Sequence, residues 1–376
     1  MYIPRLLIRP LEGDMMMEPR PRKLITPMLY VQGKGAIYHL GQKALPFGNR
    51  AYVVGGKTAL SVTGDKIRKS LESNGIEVAG WDDSVRECTR AAIDALSEKG
   101  KHINAHFVVC VGGGKAVDTA KAVAWKLRIP AVVVGTQCAT NADASAESVV
   151  YTEDHIFQEV VALQKNPVLV VEDTEVLFRA PHKFLVWGMG DAVATRYEGE
   201  AFAAAREKRG DGLVPTGAAL ALGQSCFRSL MEHGSKAVKD AKNGIHSREV
   251  DEVIEAVKLS SALAFENTGC ALAHALHNGL MKTGQVKGEH GEVVAYGTIV
   301  QAAYEGRPRD EVQRLIQWCG AVGLPTTLKA LGDPSKAALR QAAEHACEKD
   351  HNAQNMPDKM RPADLLEVMD RVERGF

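Results

Sequence analysis

One unit recurs through the first half of the chain: a run of consecutive apolar residues, a turn of small residues, then a stretch with helical spacing. Phe107–Val108–Val109–Cys110–Val111 leads into Gly112–Gly113–Gly114 and then a helical stretch from Lys115 to Leu127. Ala51–Tyr52–Val53–Val54 ends at Gly55–Gly56, and Ala131–Val132–Val133–Val134 ends at Gly135. Apolar residues in unbroken rather than alternating runs, separated by helices, fit strands covered on both faces. That pattern predicts a parallel sheet with helices packed above and below it.

The same reading predicts helices over Lys66–Asn74 and Val85–Leu96, the second stopping near Gly100. It predicts later strands at Val149–Tyr151 and Val168–Glu172, with Gln158–Ala162 between them. After Thr174 the valine-rich runs stop, and Ala, Leu and Glu dominate at helical spacing. A chain of 376 residues also exceeds what one compact core usually serves. A boundary is therefore expected at residues 175–182, around Arg179–Ala180–Pro181, with an all-helical second half. Residues 1–26 are basic and broken by prolines, with no secretory apolar segment, and read as an N-terminal extension, disordered or from an over-long start.

Composition excludes several classes. Lys+Arg and Asp+Glu are 46 each, so net charge gives no general case for a nucleic acid or an anionic membrane as partner. No apolar run approaches the ~20 residues that span a bilayer. The seven cysteines are scattered without a CxxC pair, which suggests reduced thiols and a cytoplasmic protein. Cys110 and Cys138 read as small core residues.

Three stretches carry chemistry. In Val111–Gly112–Gly113–Gly114–Lys115–Ala116–Val117–Asp118, a strand meets a helix N-terminus through three glycines. Free N–H groups and the positive end of the helix dipole suit a pyrophosphate there, although the loop is neither GxGxxG nor a Walker loop. Asp118 is open to a simpler reading as a dipole-favourable residue. Gly135–Thr136–Gln137–Cys138–Ala139–Thr140–Asn141–Ala142–Asp143–Ala144–Ser145 follows the next strand, at the carboxyl end of the sheet where open α/β folds bind ligands. The third set is remote in sequence: Asp191 in Gly188–Met189–Gly190–Asp191, His274 and His277 in Ala273–His274–Ala275–Leu276–His277–Asn278–Gly279, and His290 in Gly288–Glu289–His290–Gly291. His274 and His277 share a helix face. One carboxylate and two imidazoles with one open position are a donor set that catalytic zinc uses; spacing alone leaves structural roles for the histidines open.

The order and distances of the GGGKxxDTAK loop, the Thr-rich loop, GxxDAxAT, AHAxHNG and xHGExVAxG, over roughly residues 27–376, resemble the glycerol dehydrogenase family within the iron-containing (metal-dependent) alcohol dehydrogenase superfamily. The resemblance implies a dehydroquinate synthase-like fold. An α/β nucleotide-binding domain with a parallel sheet would span 27–178, and an all-α metal-binding domain 179–376, with the site in the cleft. It implies Asp191, His274 and His290 as metal ligands, His277 as a catalytic histidine, and Asn141 with His274 at the substrate. It further implies Gly113, Gly114, Lys115, Asp118, Thr136, Ser145 and Tyr151 at a nicotinamide cofactor, and a homo-oligomer. The activity implied is hydride transfer between NAD and a small polyol such as glycerol, giving a ketone such as dihydroxyacetone. Iron-using members often carry a further His one turn after the Asp; Thr195 stands there, which favours zinc, with iron as runner-up.

The chain departs from the pattern in three places. The carboxylate that commonly follows the first strand and holds the ribose hydroxyls is replaced by Gly56, with Lys57 next. Its absence removes a repulsion against NADP, which Lys57 or Arg50 could attract. Asn141 stands where glycerol dehydrogenases carry an Asp, for which Asp143 is a candidate substitute. Arg196 replaces a frequent aromatic residue, and facing the cleft it would favour an anionic substrate. Alternatives are therefore an alcohol, aldehyde or hydroxyketone reductase with a different substrate, a dehydroquinate-synthase-like lyase, and a non-catalytic nucleotide-binding protein.

Overall fold

The structure, a computed structural model, describes residues 20–210 and 212–376. In chain order its strands are β1 (Arg22–Lys23), β2 (Leu29–Gly33), β3 (Arg50–Gly56), β4 (Glu77–Val85), β5 (Phe107–Gly112), β6 (Ala131–Gly135), β7 (Glu147–Tyr151), β8 (Phe157–Ala162), β9 (Leu169–Asp173) and β10 (Val214–Pro215). Six form one sheet in the order β2-β9-β6-β5-β3-β4, parallel throughout. β7 and β8 form an antiparallel hairpin beside it. From Thr174 onward the regular elements among the described residues are helices, apart from β10.

The sheet is buried on both faces, as its unbroken apolar runs require. Tyr52, Val54, Val108, Cys110, Val133 and Val170 pack with Ile93, Leu96, Val117 and Val123 on one side. Ala51, Val53, Val109, Val111, Val132, Val134 and Val171 pack with Ile37, Leu40, Leu60, Ile67 and Leu71 on the other. Each valine, leucine or isoleucine so taken from water stabilises the fold by roughly 1.5–3 kcal/mol before entropy is counted. A separate core joins the helices of the second half around Met189, Tyr197, Leu230, Leu276, Tyr296 and Trp318.

Local readings needed four corrections. The stretch Val85–Leu96 is not one helix: Val85 closes β4, and the helix runs Arg90–Ile103, capped by the Thr89 hydroxyl accepting from the Ala92 N–H. β4 carried no apolar run because it is an edge strand with Glu77, Asp83 and Ser84 exposed. The helix expected at Lys66–Asn74 begins at Lys57 and ends at Glu72, since Leu60 and Thr63 are also buried. The second half is not wholly helical, because β10 pairs with β1. Of the expected N-terminal extension, residues 1–19 lie outside the described residues. Its end is tied down: the Ile25 N–H donates to Asn267 Oδ1 at 2.6 Å, and Asn267 Nδ2 donates back to the Ile25 carbonyl at 2.8 Å.

Candidate active site

Sheet topology marks the crevice. From β3 the chain crosses outward to β4, whereas from β5 it crosses the other way to β6. Neighbouring strands whose crossovers diverge open a gap beyond their carboxyl ends. The turns there are Gly55–Gly56 and Gly112–Gly113–Gly114. Gly112 has φ 153°, a conformation that favours glycine. Gly113 caps the helix Gly114–Leu127 with no side-chain hydrogen bond, leaving N–H groups at that terminus for a ligand. A Cβ on Gly113 would overlap the Gln137 amide, so the loop has no room for a larger residue.

The Thr136–Ser145 loop lies against these glycines. The Thr136 N–H donates to the Gly112 carbonyl at 3.0 Å. A Cβ on Gly114 would sit 3.1 Å from Thr140 Oγ1. On its other side the loop meets the helix Lys183–Ala192, where a Cβ on Gly188 would overlap the Cys138 carbonyl. Asp191 lies in the last turn of that helix. A further pair of glycines, Gly190 and Gly291, lets it pack backbone to backbone on the helix His290–Tyr304. His290 stands at the head of this second helix, after a capping box between Glu289 and Glu292. His274 comes from the helix Leu272–Lys282.

These three elements bring the remote donors together. His274 Nε2 is 3.3 Å and His290 Nε2 3.5 Å from Asp191 Oδ1. Their ligand atoms lie within 4.8 Å of one another. Asp191 is buried, and His290 is 44% exposed, so the cluster opens to solvent on one side. Burial opposes a charge on Asp191, yet hydrogen bonds from His274 and His290 hold its carboxyl well below the usual range. Burial also opposes a charge on His274, but Cys270, Glu198 and Asp191 push its pKa well up. A buried site that draws positive charge, built from one carboxylate and two imidazoles with an open side, fits a divalent ion and an additional ligand.

Sequence reading missed Glu198. Its Oε2 is 2.7 Å from His274 Nδ1, and its Oε1 accepts from the backbone N–H groups of Ala271 and His274 at 2.7 and 3.0 Å. This fixes the His274 ring with Nε2 turned to Asp191, as second partners of metal-binding histidines do. Glu198 lies seven residues after Asp191, on the next helix, Ala194–Arg209, and no motif in the sequence marked it. Cys270 also lies beside Glu198 and His274.

His277 faces His290 rather than Asp191. Its Nε2 is 3.1 Å from His290 Nδ1, and its Nδ1 is 2.9 Å from Asn278 Oδ1. Burial, then the facing His290, pushes its pKa well down, so the ring is neutral. The network assigns its proton to Nδ1, donated to Asn278 Oδ1, which leaves Nε2 as acceptor for His290.

The cofactor-side candidates divide in two. Lys115 Nζ bonds Glu87 Oε2 at 2.5 Å, and His155 Nδ1 reaches the same oxygen at 2.6 Å, so the motif lysine is held by a carboxylate that sequence reading overlooked. Asp118 is turned inward. It pairs with Lys121 Nζ at 3.1 Å and accepts from the Val149 N–H at 3.1 Å. Lys121 in turn donates to the Ala142 carbonyl at 2.6 Å and to Ser145 Oγ at 3.2 Å. Lys121 thus links Asp118, on the helix Gly114–Leu127, to Ser145 at the end of the loop. Tyr151, at the end of β7, stacks edge-on with Phe157. Asn141 Nδ2 donates to Ser261 Oγ at 3.2 Å.

Comparison with known proteins settles the lineage. Residues 27–174 match the iron-containing alcohol dehydrogenase family. A glycerol dehydrogenase of Pseudomonas putida is 36% identical over 341 residues, 89% of this chain and 93% of that one. A glycerol dehydrogenase of Thermotoga maritima is 36% identical over 93% of this chain and 96% of its own length. The chain belongs to the iron-containing alcohol dehydrogenase family, among the glycerol dehydrogenases.

The crystal structure of a probable glycerol dehydrogenase from Sinorhizobium meliloti superposes with a TM-score of 0.84 at 32% identity, over 94% of this chain and 98% of that one. As an iron-containing alcohol dehydrogenase the protein is an oxidoreductase, and the lyase and non-catalytic readings are not favoured. No helix among the described residues is long and apolar enough to cross a membrane. Three side chains of this family member differ from their expected places. Arg196 does not offer its charge to the cleft: it pairs with Glu200 and Glu311 at 3.2 Å each and lies over Tyr197 and Phe227. Asp143 cannot substitute for a substrate-facing carboxylate, because it is wholly buried against Lys258. Arg50 opens β3, at the end of the sheet opposite the glycine turns, and is paired with Glu77.

Proposed function

We propose that the protein is a zinc-dependent NAD(P) dehydrogenase that interconverts glycerol, or a related vicinal diol, with the corresponding ketone, dihydroxyacetone in the case of glycerol. The observation that carries this is the convergence of Asp191, His274 and His290 at the end of a helix packed against the loop that also covers the glycine turn. The relatives named above supply the substrate class.

When bound, a divalent ion contributes Lewis acidity toward an alcohol hydroxyl, and a nicotinamide accepts the hydride. The chain's own residues do the rest. Asp191, His274 and His290 hold the ion, and Glu198 keeps the His274 ring turned toward it. Gly113 and Gly114 present backbone N–H groups to the pyrophosphate; Lys115 and Thr136 flank it, and Tyr151 borders it. Asp118 and Ser145 brace this surface through Lys121. Asn141 binds a second substrate hydroxyl, as donor or acceptor without charge. His277 serves proton movement by holding the His290 Nδ1 proton at its Nε2. Gly56 leaves room beside the ribose, and Lys57, exposed at the next position, favours NADP acceptance. Zinc is preferred to iron because Thr195 gives its hydroxyl to the Ala192 carbonyl at 2.8 Å and offers no imidazole. A homo-oligomer in the cytoplasm completes the reading.

The test is a dehydrogenase assay of glycerol and small diols with NAD and with NADP, on protein loaded in turn with zinc and with iron. Turnover of vicinal diols with zinc is the expected result. Net reduction of either cofactor by none of them overturns the reading.

A further inference from the structure

Lys258 is a fully buried lysine in an apolar stretch of the helical half. It lies in a single π-helical turn, Ala256–Ser260, between two α-helices. Such turns mark places where a helix is distorted to re-aim a side chain, frequently at functional sites. Here the side chain is aimed out of its own half, into the sheet half. Its Nζ donates to the carbonyls of Gln137 and Thr140 at 3.2 Å each. It touches the Asp143 carboxylate and lies 3.8 Å from Glu172 Oε1. Asp143 and Glu172 are themselves fully buried. Burial pushes the Glu172 carboxyl well up and the Lys258 ammonium down to about 8, and the Asp143 carboxylate is the anionic partner in contact with that lysine.

The groups held by this lysine are not scattered. Gln137 lies over Gly113, Thr140 packs on Gly114, and Cys138 between them lies against Gly188 on the helix that carries Asp191. The next residue, Asn141, bonds Ser261, which comes just after the same π-turn. One buried ammonium therefore sits where the glycine turn, the substrate-side loop and the metal-bearing helix meet. A charge buried this deeply adds little net stability over a well-packed apolar side chain.

We propose that Lys258 is a positioning residue of the active site, which holds the Gln137–Asn141 loop in register so that the cofactor face and the substrate face are set relative to each other. The proposal rests on the dehydrogenase reading for its substrate readout, but its cofactor readout does not depend on which substrate is used.

The experiment compares wild type, Lys258→Met, and the double variant Lys258→Met/Asp143→Asn. The single variant leaves a buried carboxylate without its cation and lowers Tm. The double variant removes both charges and restores Tm. The expected result is that the double variant, though stable and retaining zinc, binds NADH several-fold more weakly by fluorescence titration and loses on the order of 10²-fold in kcat/KM for glycerol, the scale of a small misplacement of reacting groups. A double variant with wild-type NADH affinity overturns the proposal, since Lys258 would then serve only to balance charge. Failure of the wild type to oxidise glycerol would instead count against the substrate assignment, and the NADH titration would still decide the role of Lys258.

Discussion

Glu198 Oε2 lies 2.7 Å from His274 Nδ1, closer than either His274 or His290 comes to Asp191, and on the side of the ring away from Asp191. The same carboxylate accepts from the backbone N–H groups of Ala271 and His274, at the start of the histidine helix. One side chain thus fixes both the ring and the helix terminus that presents it.

Replacing Glu198 with Gln should weaken zinc affinity about 10–100-fold while leaving the protein folded, because the amide oxygen still accepts from one donor but the carboxylate's charge is gone. Competition against a chromophoric chelator measures this. Unchanged affinity would show that His274 is oriented by its own helix.

Removing the ion should abolish turnover, and adding zinc back should restore it. His274→Ala and Asp191→Asn should lose zinc and activity together. Metal content per chain, measured beside the rate, separates this from simple unfolding.

Gly291→Ala tests how the ligands are brought together. A Cβ there would overlap the Trp187 carbonyl and force the two ligand-bearing helices apart. Overpacking of this kind typically costs about 1–3 kcal/mol. Urea unfolding should register that loss, and zinc content should fall with it.

Glu87 gives a pH prediction. Burial works against its charge, but hydrogen bonds from Lys115, His155 and the Cys88 N–H hold its carboxyl below the ordinary value of 4.5. A carboxyl whose folded pKa lies below its unfolded one stabilises the native state fully above pH 4.5. That contribution disappears as pH falls through the folded value. Glu87→Gln should therefore flatten the acid limb of Tm against pH, and an unaltered limb would exclude the contribution.

Gly56 and Lys57 predict that kcat/KM with NADP stays within reach of that with NAD. Gly56→Asp should restore a carboxylate beside the ribose and shift the ratio toward NAD. Steady-state rates with both cofactors decide; a strong NAD preference in the unaltered protein would remove the argument.

What the chain determined by itself is its periodic and punctuated part. Unbroken valine runs specify strands buried on both faces, so the central strands and the glycine turn at β5 were legible from residue order. So were Asp191, His274 and His290 as candidates, each flanked by the small residues that close backbone packing needs. The edge strand β4 was not legible, since an edge is half solvated and carries no apolar run. Only the tertiary structure decided the partners of the charges. Asp143 was taken by Lys258, Arg196 by Glu200 and Glu311, and Lys115 by Glu87, while Glu198 was recruited behind His274. Residue order carries no information on which remote side chain fills a buried charge's surroundings. That is settled only when the helices dock, because an unpaired charge in the interior is costly enough to select its partner.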